Sequence, residues 1–234
     1  MENCLAIIPA RGGSKRIPKK NIKSFLSKPI ISYSIESAIE SKLFDEVMVS
    51  TDDVEVAEIA LKYGAKVPFM RSNKNSDDYA TTVDVLKEVI SEYQIQGKTF
   101  DNICCIYATA PFANSIKLIE AFNKLIKSDV YSVFPIVDFG YPIQRALKIE
   151  SEKLNMFWPE NYKKRSQDLE KAYHDAGQFF WCKSTFFQND LKHAFENAGF
   201  IIMKEHEVQD IDSLTDWQLA ELKFKALNPG YNSI

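Results

Sequence analysis

The amino-acid sequence predicts an α/β fold: a doubly wound, mostly parallel sheet covered by helices on both faces. Short runs that are apolar throughout alternate with segments of helical periodicity, which is the pattern of parallel strands buried beneath helices. The 234 residues, 45% of them apolar, suffice for one large core. The alternation fails only between residues 137 and 173, a segment too long for an ordinary connection. We therefore expect a single domain, 1–234, with a projecting arm at 137–173.

The predicted helices and strands follow one another in a regular order. Helical spacing of apolar residues predicts five helices, at 29–41, 53–65, 82–94, 115–128 and 214–227. Continuous apolar runs predict strands at 5–10, 44–51, 66–70, 102–111, 130–137, 177–183 and 199–208. Within the arm, only "RALKIE" at 145–150 has a weak strand pattern.

Charge and composition exclude several classes of function. The net charge of −3 gives the molecule no electrostatic reason to seek nucleic acid or an anionic membrane surface. No apolar run approaches the roughly 20 residues that a membrane span needs, and no signal segment opens the chain, so we expect a cytoplasmic protein. The four cysteines show no metal-type spacing and are predicted to be buried structural thiols.

The first strand runs directly into a basic loop, "ARGGSKRIPKKN", residues 10–21. Ligands of open parallel sheets bind at the carboxyl ends of the strands, which is where this loop lies. It matches neither of the common phosphate-loop patterns. Its glycines, serine hydroxyl and dense cations are nevertheless the groups that a triphosphate requires. The alternative is a solvated basic loop.

The same stretch closely resembles the first motif of the acylneuraminate cytidylyltransferases, the CMP-sialic acid synthetases, which have a Rossmann-like nucleotidyltransferase fold. "VMVSTDD", "RSNKNSDDYATTVDVL", "RSQDLEKAYHDAGQFFW" and "VQDIDSLTDWQLAE" also follow the family's order and spacing, so the resemblance covers nearly the whole chain. "AYHDAGQFFW" looks most like the pseudaminic acid branch of the family.

The resemblance implies an enzyme and a reaction. The anomeric hydroxyl of a nine-carbon 2-keto sugar acid would attack the α-phosphorus of CTP, giving CMP-sugar and pyrophosphate for a surface glycan or a glycosylated flagellar protein. The alternative enzyme is a cytidylyltransferase for another keto sugar: N-acetylneuraminic acid, legionaminic acid or KDO. A catalytically inactive CTP-binding sensor is the non-enzyme alternative, and the retention of Lys20, Asp210 and Asp212 disfavours it.

The family pattern also implies which residues bind the nucleotide. Lys20 is the best candidate for stabilising charge on the α-phosphate and leaving group, with Arg11 and Asp212 as the other catalytic candidates. The predicted nucleotide-binding residues are Ala10, Arg11, Gly12, Gly13, Ser14, Lys15, Lys20, Asn21, Arg71, Ala80, Thr81 and Thr82. Two alternatives remain open: a surface ion pair for Arg71, and helix capping by Asp78.

Asp210 and Asp212 stand two residues apart, so on an extended chain they point to the same side. They match the family's metal-binding pair and suit Mg²⁺, which prefers oxygen ligands and is usually held by one or two carboxylates plus phosphates. Either carboxylate could also help to deprotonate the sugar hydroxyl. The alternative is a helix-capping acid and a surface acid ahead of the last helix.

The predicted sugar site departs from that of the sialic acid enzymes, because "YATAPFA" at 107–113 lacks the family's glutamine and arginine. A more apolar pocket, with Tyr107, Phe112, Tyr173 and Phe179 as candidates, would suit a deoxygenated sugar such as pseudaminic acid. His174 could equally be structural. The predicted sugar-binding residues are Tyr107, Thr109, Arg165, Gln167, Tyr173 and His174.

In the family the irregular segment is a dimerisation arm that reaches over the partner's active site. The resemblance therefore implies a homodimer, with Arg145 and Arg165 as candidates for acting in trans. The arm's aromatic residues could form an apolar interface or the arm's own small core; they are Phe139, Tyr141, Phe157, Trp158 and Tyr162.

Overall fold

The computed structural model describes residues 2–188 and 195–230. These residues form eleven strands: β1 (Cys4–Pro9), β2 (Ser24–Phe25), β3 (Lys28–Pro29), β4 (Glu46–Ser50), β5 (Asn102–Ile106), β6 (Ser132–Asp138), β7 (Leu147–Glu150), β8 (Lys153–Met156), β9 (Tyr173–Asp175), β10 (Phe179–Lys183) and β11 (Ala198–Met203). The five helices are α1 (Ile30–Ser41), α2 (Val54–Lys62), α3 (Thr82–Ile95), α4 (Ser115–Lys127) and α5 (Leu214–Leu227).

A mixed, mostly parallel sheet forms the centre of the fold. Its strand order is β11-β6-β10-β5-β1-β4, and the short β9 pairs with β6. β1 pairs in parallel with both β4 and β5, and β11 pairs in parallel with β6. β10 lies between β5 and β6 and is antiparallel to both. The expected α/β class with a mostly parallel sheet is therefore confirmed.

Helices cover both faces of the sheet. α1, α2 and α4 pack on one face, where their apolar side chains join those of β1, β4, β5 and β10 in one core cluster. α3 packs on the opposite face through Leu86, Val89 and Tyr93. α5 covers a third cluster, built with Phe25 and the start of α1. All four cysteines are buried free thiols, as expected.

The run at 66–70 was expected to be a strand, and this expectation is wrong. Only Lys66 bridges to β4, through hydrogen bonds with Val47 O (2.8 Å) and Val49 N (2.9 Å). Pro68 follows and has no N–H to continue the ladder. The chain then turns toward Arg71 at the carboxyl end of β4.

The excursion expected at 137–173 leaves the sheet after β6 and returns at β9. Its regular part is the antiparallel hairpin β7–β8, whose first strand coincides with the weak pattern at 145–150. Cross-strand pairing and alternation place the side chains of Leu147, Ile149, Leu154 and Met156 on one face of the hairpin. Ile149 is 77% exposed and Leu154 69% exposed, so the described residues leave this apolar face uncovered.

Helix α5 begins with a capping box that fixes the chain just after Asp212. Ser213 Oγ accepts from Asp216 N (3.2 Å), and Asp216 accepts from Ser213 N (2.7 Å). We expect Ser213→Ala to lower the free energy of unfolding by about 1 kcal/mol because an N-cap is lost. Thermal denaturation measures this, with Thr215→Ala as the control. Equal melting temperatures for the two variants would contradict the prediction.

Candidate active site

A polar cleft opens at the carboxyl ends of β1, β4 and β5, which is the edge predicted to bind a ligand. Its volume is about 330 Å³. Ten of the predicted site residues line it together: Arg11, Ser14, Lys15, Lys20, Asn21, Arg71, Ala80, Thr82, Tyr107 and Thr109. The structure therefore gathers the larger part of the predicted nucleotide site, together with two predicted sugar residues, in one place.

The basic loop is held at several points along its length. Ala10 N donates to Ser50 O (2.9 Å), which ties the end of β1 to β4. Ile17 is buried against the α5 cluster and anchors the middle of the loop. The side-chain amide of Asn21 donates to Arg11 O (2.9 Å) and so joins the two ends. The loop is thus preorganised, which is a requirement for efficient charge stabilisation.

Gly12 allows the loop to approach the start of α2 closely. A Cβ at this position would lie 2.5 Å from Asp53 Oδ2, so no side chain fits there. Gly12 N donates to Asp52 Oδ1 (2.9 Å), while Asp53 caps α2 through Glu55 N and Val56 N. By contrast, apart from its chain neighbours, no residue that the structure describes has an atom within 4 Å of a Cβ built on Gly13.

Four cationic side chains of the loop form ion pairs with two carboxylates. Arg11 Nη1 lies 2.9 Å from Asp78 Oδ1, and Lys15 also pairs with Asp78. Arg16 Nη1 lies 2.8 Å from Asp212 Oδ2. Lys20 Nζ donates to Ile211 O (2.6 Å) and lies 3.4 Å from Asp212 Oδ1. The loop therefore carries a net excess of positive charge even with both acids in place.

Arg71 is buried rather than paired at the surface. It is only 7% exposed, its Nε donates to Ser50 Oγ (3.0 Å), and its Nη2 donates to Ser50 O. Burial lowers the pKa of its guanidinium from the usual value, although arginine remains charged at neutral pH. The alternative of a surface ion pair is therefore wrong, and these bonds fix the guanidinium where it lines the cleft.

The segment before α3 differs in detail from the expectation. Thr81, not Asp78, caps α3 through a capping box with Asp84. Asp77 Oδ1 accepts from Tyr79 N (2.9 Å) and Ala80 N (2.8 Å), which shapes the turn. Thr81 is thus occupied as a cap, while Ala80 and Thr82 on either side of it line the cleft.

A second group of polar residues lies beyond Tyr107. Gly177 N donates to Asp175 Oδ1 (2.8 Å), and a Cβ on Gly177 would lie 4.0 Å from Asp210 Cγ. The Asp175 carboxyl reaches solvent but is surrounded by protein on its other sides. This partial burial, with a smaller effect of the Asp210 charge, raises its pKa. Burial also raises the pKa of the Tyr107 hydroxyl.

Asp210 and Asp212 flank the buried Ile211, as alternation along an extended chain predicts. Ser213, not either aspartate, caps α5, so the capping alternative is wrong. The described residues contain no cluster of three or more His, Cys, Asp or Glu side chains that could hold a metal unaided. Two carboxylates completed by substrate phosphates fit the way Mg²⁺ is usually bound.

The remaining predicted sugar residues lie outside this cleft. Arg165 forms an ion pair with Asp168 (2.8 Å) and its side chain is 72% exposed. Gln167 lines a separate hollow of about 340 Å³ at the base of the arm. Tyr173 and His174 are exposed on β9, where the His174 ring packs 4.8 Å from that of Phe139.

Two of the aromatic pocket candidates belong to the core instead. Phe179 is 1% exposed and packs beneath α1 and α4, and Phe112 is 5% exposed and packs against α5. Of the four candidates, Tyr107 alone lines the cleft. An apolar run in a buried strand has the same composition as an apolar pocket wall, so the sequence could not separate the two.

Several site residues were not among the predicted ones. Arg16 pairs with Asp212, Asp78 pairs across the cleft, and Asp175 lies near Asp210. Arg16 and Asp175 fall inside stretches that the sequence had already singled out. The sequence could not distinguish two roles for Asp78, because an acidic residue before a helix is as typical of a helix cap as of an ion pair across a cleft.

Comparison with known proteins identifies the class of enzyme. The family model described as cytidylyltransferase matches residues 5–213, so the chain belongs to the cytidylyltransferase family. Its fold and its predicted class of activity are thereby confirmed.

Three individual proteins are similar to this chain over nearly its whole length. The chain is 46% identical over 222 residues to the pseudaminic acid cytidylyltransferase of Campylobacter jejuni, covering 94% of this chain and 96% of that protein. It is 31% identical to the CMP-N,N'-diacetyllegionaminic acid synthase of Legionella pneumophila, covering 96% and 97%. A solved CMP:2-keto-3-deoxy-manno-octonic acid synthetase complexed with CTP superposes with a TM-score of 0.71 at 16% identity, covering 96% and 99%.

Proposed function

We propose that this enzyme transfers CMP from CTP to the anomeric hydroxyl of pseudaminic acid, releasing pyrophosphate. The observation that carries the proposal is the single cleft in which Arg11, Lys15, Lys20 and Arg71 converge beside Asp212. The 46% identity to a pseudaminic acid cytidylyltransferase supports the choice of sugar. CTP is available in the cytoplasm, where we place the reaction.

The role proposed for each residue follows from its position in the cleft. Arg11, Ser14, Lys15 and Lys20 bind the phosphates, and Arg71 with the backbone around Ala80 binds the base and ribose. Phosphoryl transfer is catalysed mainly by positioning and by neutralising charge. Lys20 is suited to this because its side chain is only 20% exposed, and low exposure strengthens its interaction with a developing charge.

Asp210 and Asp212 are the proposed Mg²⁺ ligands. When bound, Mg²⁺ neutralises phosphate charge and orients the triphosphate. Asp212 is paired with Arg16 and Lys20. We propose that a bound triphosphate takes over these two cations and frees the carboxylate for the metal.

Of the residues predicted to make the sugar pocket apolar, only Tyr107 lines the cleft, so the choice of pseudaminic acid rests on the 46% identity to a pseudaminic acid cytidylyltransferase. The test is pyrophosphate release with CTP and Mg²⁺, offering pseudaminic, legionaminic and N-acetylneuraminic acids in parallel. We expect turnover with pseudaminic acid. Turnover with N-acetylneuraminic acid alone would keep the reaction and contradict the proposed sugar.

We also propose that the hairpin β7–β8 is the core of a homodimer interface. The arm's five aromatic residues are exposed, from Phe139 at 39% to Tyr141 at 89%, so they form no small core of their own within one chain. A second copy of this chain would cover them together with the apolar face of the hairpin. Arg165, which lies away from its own chain's cleft, would then be available to the partner's sugar site.

Analytical ultracentrifugation tests whether the arm forms a homodimer interface. We expect the wild type to be a dimer and Ile149→Asp to be a monomer with reduced activity, because the new charge lies on the apolar face. Asn155→Asp adds the same charge to the opposite face of the hairpin and is the matched control, expected to stay dimeric. A wild-type monomer, or a dimeric Ile149→Asp variant, would contradict this interface.

A further inference from the structure

Asp78 has no assigned role in the proposed reaction. It lines the cleft, yet it is neither a proposed metal ligand nor a helix cap. Its two carboxylate oxygens are divided between Arg11 (2.9 Å) and Lys15, both of which are proposed phosphate-binding cations. An anionic side chain thus lies where an anionic ligand would have to bind.

The backbone around Asp78 does not depend on this carboxylate. The neighbouring turn is shaped by Asp77, whose Oδ1 accepts from two backbone N–H groups. Arg11 Nη1 also donates to Asp77 O (2.8 Å), so the segment stays attached to the loop through its main chain. The hydrogen bonds from Lys15 and Arg11 lower the pKa of Asp78, which keeps it charged at neutral pH. Its negative charge is therefore free to act on the two cations.

We propose that Asp78 is an electrostatic placeholder that competes with the polyphosphate of the nucleotide for Arg11 and Lys15. This inference rests on the proposed function. Both ion pairs are open to solvent, with side-chain exposures of 36% for Arg11, 44% for Asp78 and 78% for Lys15, so each contributes little and can be displaced. In the proposed arrangement Lys20 contacts the α-phosphate, so the β- and γ-phosphates of CTP, or pyrophosphate, replace the carboxylate on Arg11 and Lys15. CMP has no phosphate at that position. Asp78 thereby sets the affinity for polyphosphates and speeds the release of pyrophosphate.

The test is a calorimetric titration of wild type and Asp78→Asn with CTP, pyrophosphate and CMP. We expect the variant to bind CTP and pyrophosphate about three- to tenfold more tightly, because two exposed ion pairs no longer compete. CMP affinity should change less than twofold. Glu55→Gln is the matched control, since it removes an equal charge that pairs with Lys19 of the same loop outside the cleft.

A second variant separates loss of charge from local disturbance. Asp78→Ser also removes the carboxylate but introduces a different side chain from that of Asp78→Asn. We expect it to tighten polyphosphate binding as well. Unchanged or weaker CTP binding in both variants would overturn the placeholder role, and so would equal tightening of CMP. Failure of the wild type to bind CTP at all would instead overturn the proposed function, and this inference with it.

Discussion

Lys20→Met is expected to lower kcat by about 10²–10³-fold, as is typical when a preorganised donor to a developing negative charge is removed. Lys20 extends into the cleft and donates to Ile211 O at 2.6 Å. That bond fixes the ammonium group at the junction of the basic loop and the Asp210–Asp212 segment. The effect should fall on kcat and kcat/KM together, because the interaction strengthens as charge develops on the phosphates.

The neighbouring lysine provides a matched control for this prediction. Lys19 pairs with Glu55 and is directed away from the cleft, with its backbone in the left-handed region (φ 51°). Lys19→Met removes the same charge one residue away without changing the cleft, so we expect kcat to stay within about threefold. Steady-state kinetics of both variants make the comparison. Equal losses would show that only the net charge of the loop matters, and would contradict a specific role for Lys20.

Asp212→Asn and Asp210→Asn are expected to weaken the response to Mg²⁺ by at least about 10–100-fold, since even residues that only orient metal ligands account for effects of this size. Without Mg²⁺, however, Asp212→Asn should bind CTP no more weakly than the wild type, because it frees Arg16 and Lys20 and removes a repulsive charge. Activity as a function of Mg²⁺ concentration, together with CTP titration in EDTA, measures both effects.

A weaker response to Mg²⁺ without weaker CTP binding in its absence identifies a metal ligand. A carboxylate needed only for folding would weaken CTP binding with and without Mg²⁺. Asp138→Asn is the control at the same edge of the sheet: Asp138 ends β6 and pairs with Lys171 at 3.4 Å, whereas Asp212 pairs with cations of the basic loop. It is expected to keep the wild-type Mg²⁺ requirement. An unchanged Mg²⁺ response in both Asp210→Asn and Asp212→Asn would contradict the proposed metal site.

The helices and most strands could be predicted from the sequence because their apolar periodicity is strong. Helix α4, for example, is predicted at 115–128 and found at Ser115–Lys127. The antiparallel direction of β10 could not be predicted, since a fully apolar run carries no information about direction. The arm determines the direction of β10. It begins at the carboxyl end of β6, and the chain returns through β9 and β10, which both run antiparallel to β6.

The candidate site was predictable in its residue types but less so in its pairings. The basic loop could be found because it follows the buried strand β1 at the ligand-binding edge. The Asp210–Asp212 pair could be found from its two-residue spacing and from the family resemblance, since the strand before it, β11, is half-exposed and ends at Met203. The burial of Arg71 and the pairing of Asp78 depend on contacts between segments distant in sequence, such as Arg71 with Ser50 and Asp78 with Arg11. Local patterns do not contain those contacts.

The described residues contain no helix that is both long and apolar enough to cross a membrane.

The most direct test of the central claim is to follow the phosphorus of CTP through the reaction with pseudaminic acid and Mg²⁺. With label on the α-phosphorus, we expect all transferred label in the sugar nucleotide. With label on the γ-phosphorus, we expect it in pyrophosphate, and we expect both transfers to fall together in Lys20→Met. Release of γ-label as orthophosphate, with no label entering a sugar nucleotide, would show that the cleft hydrolyses CTP and would contradict the account.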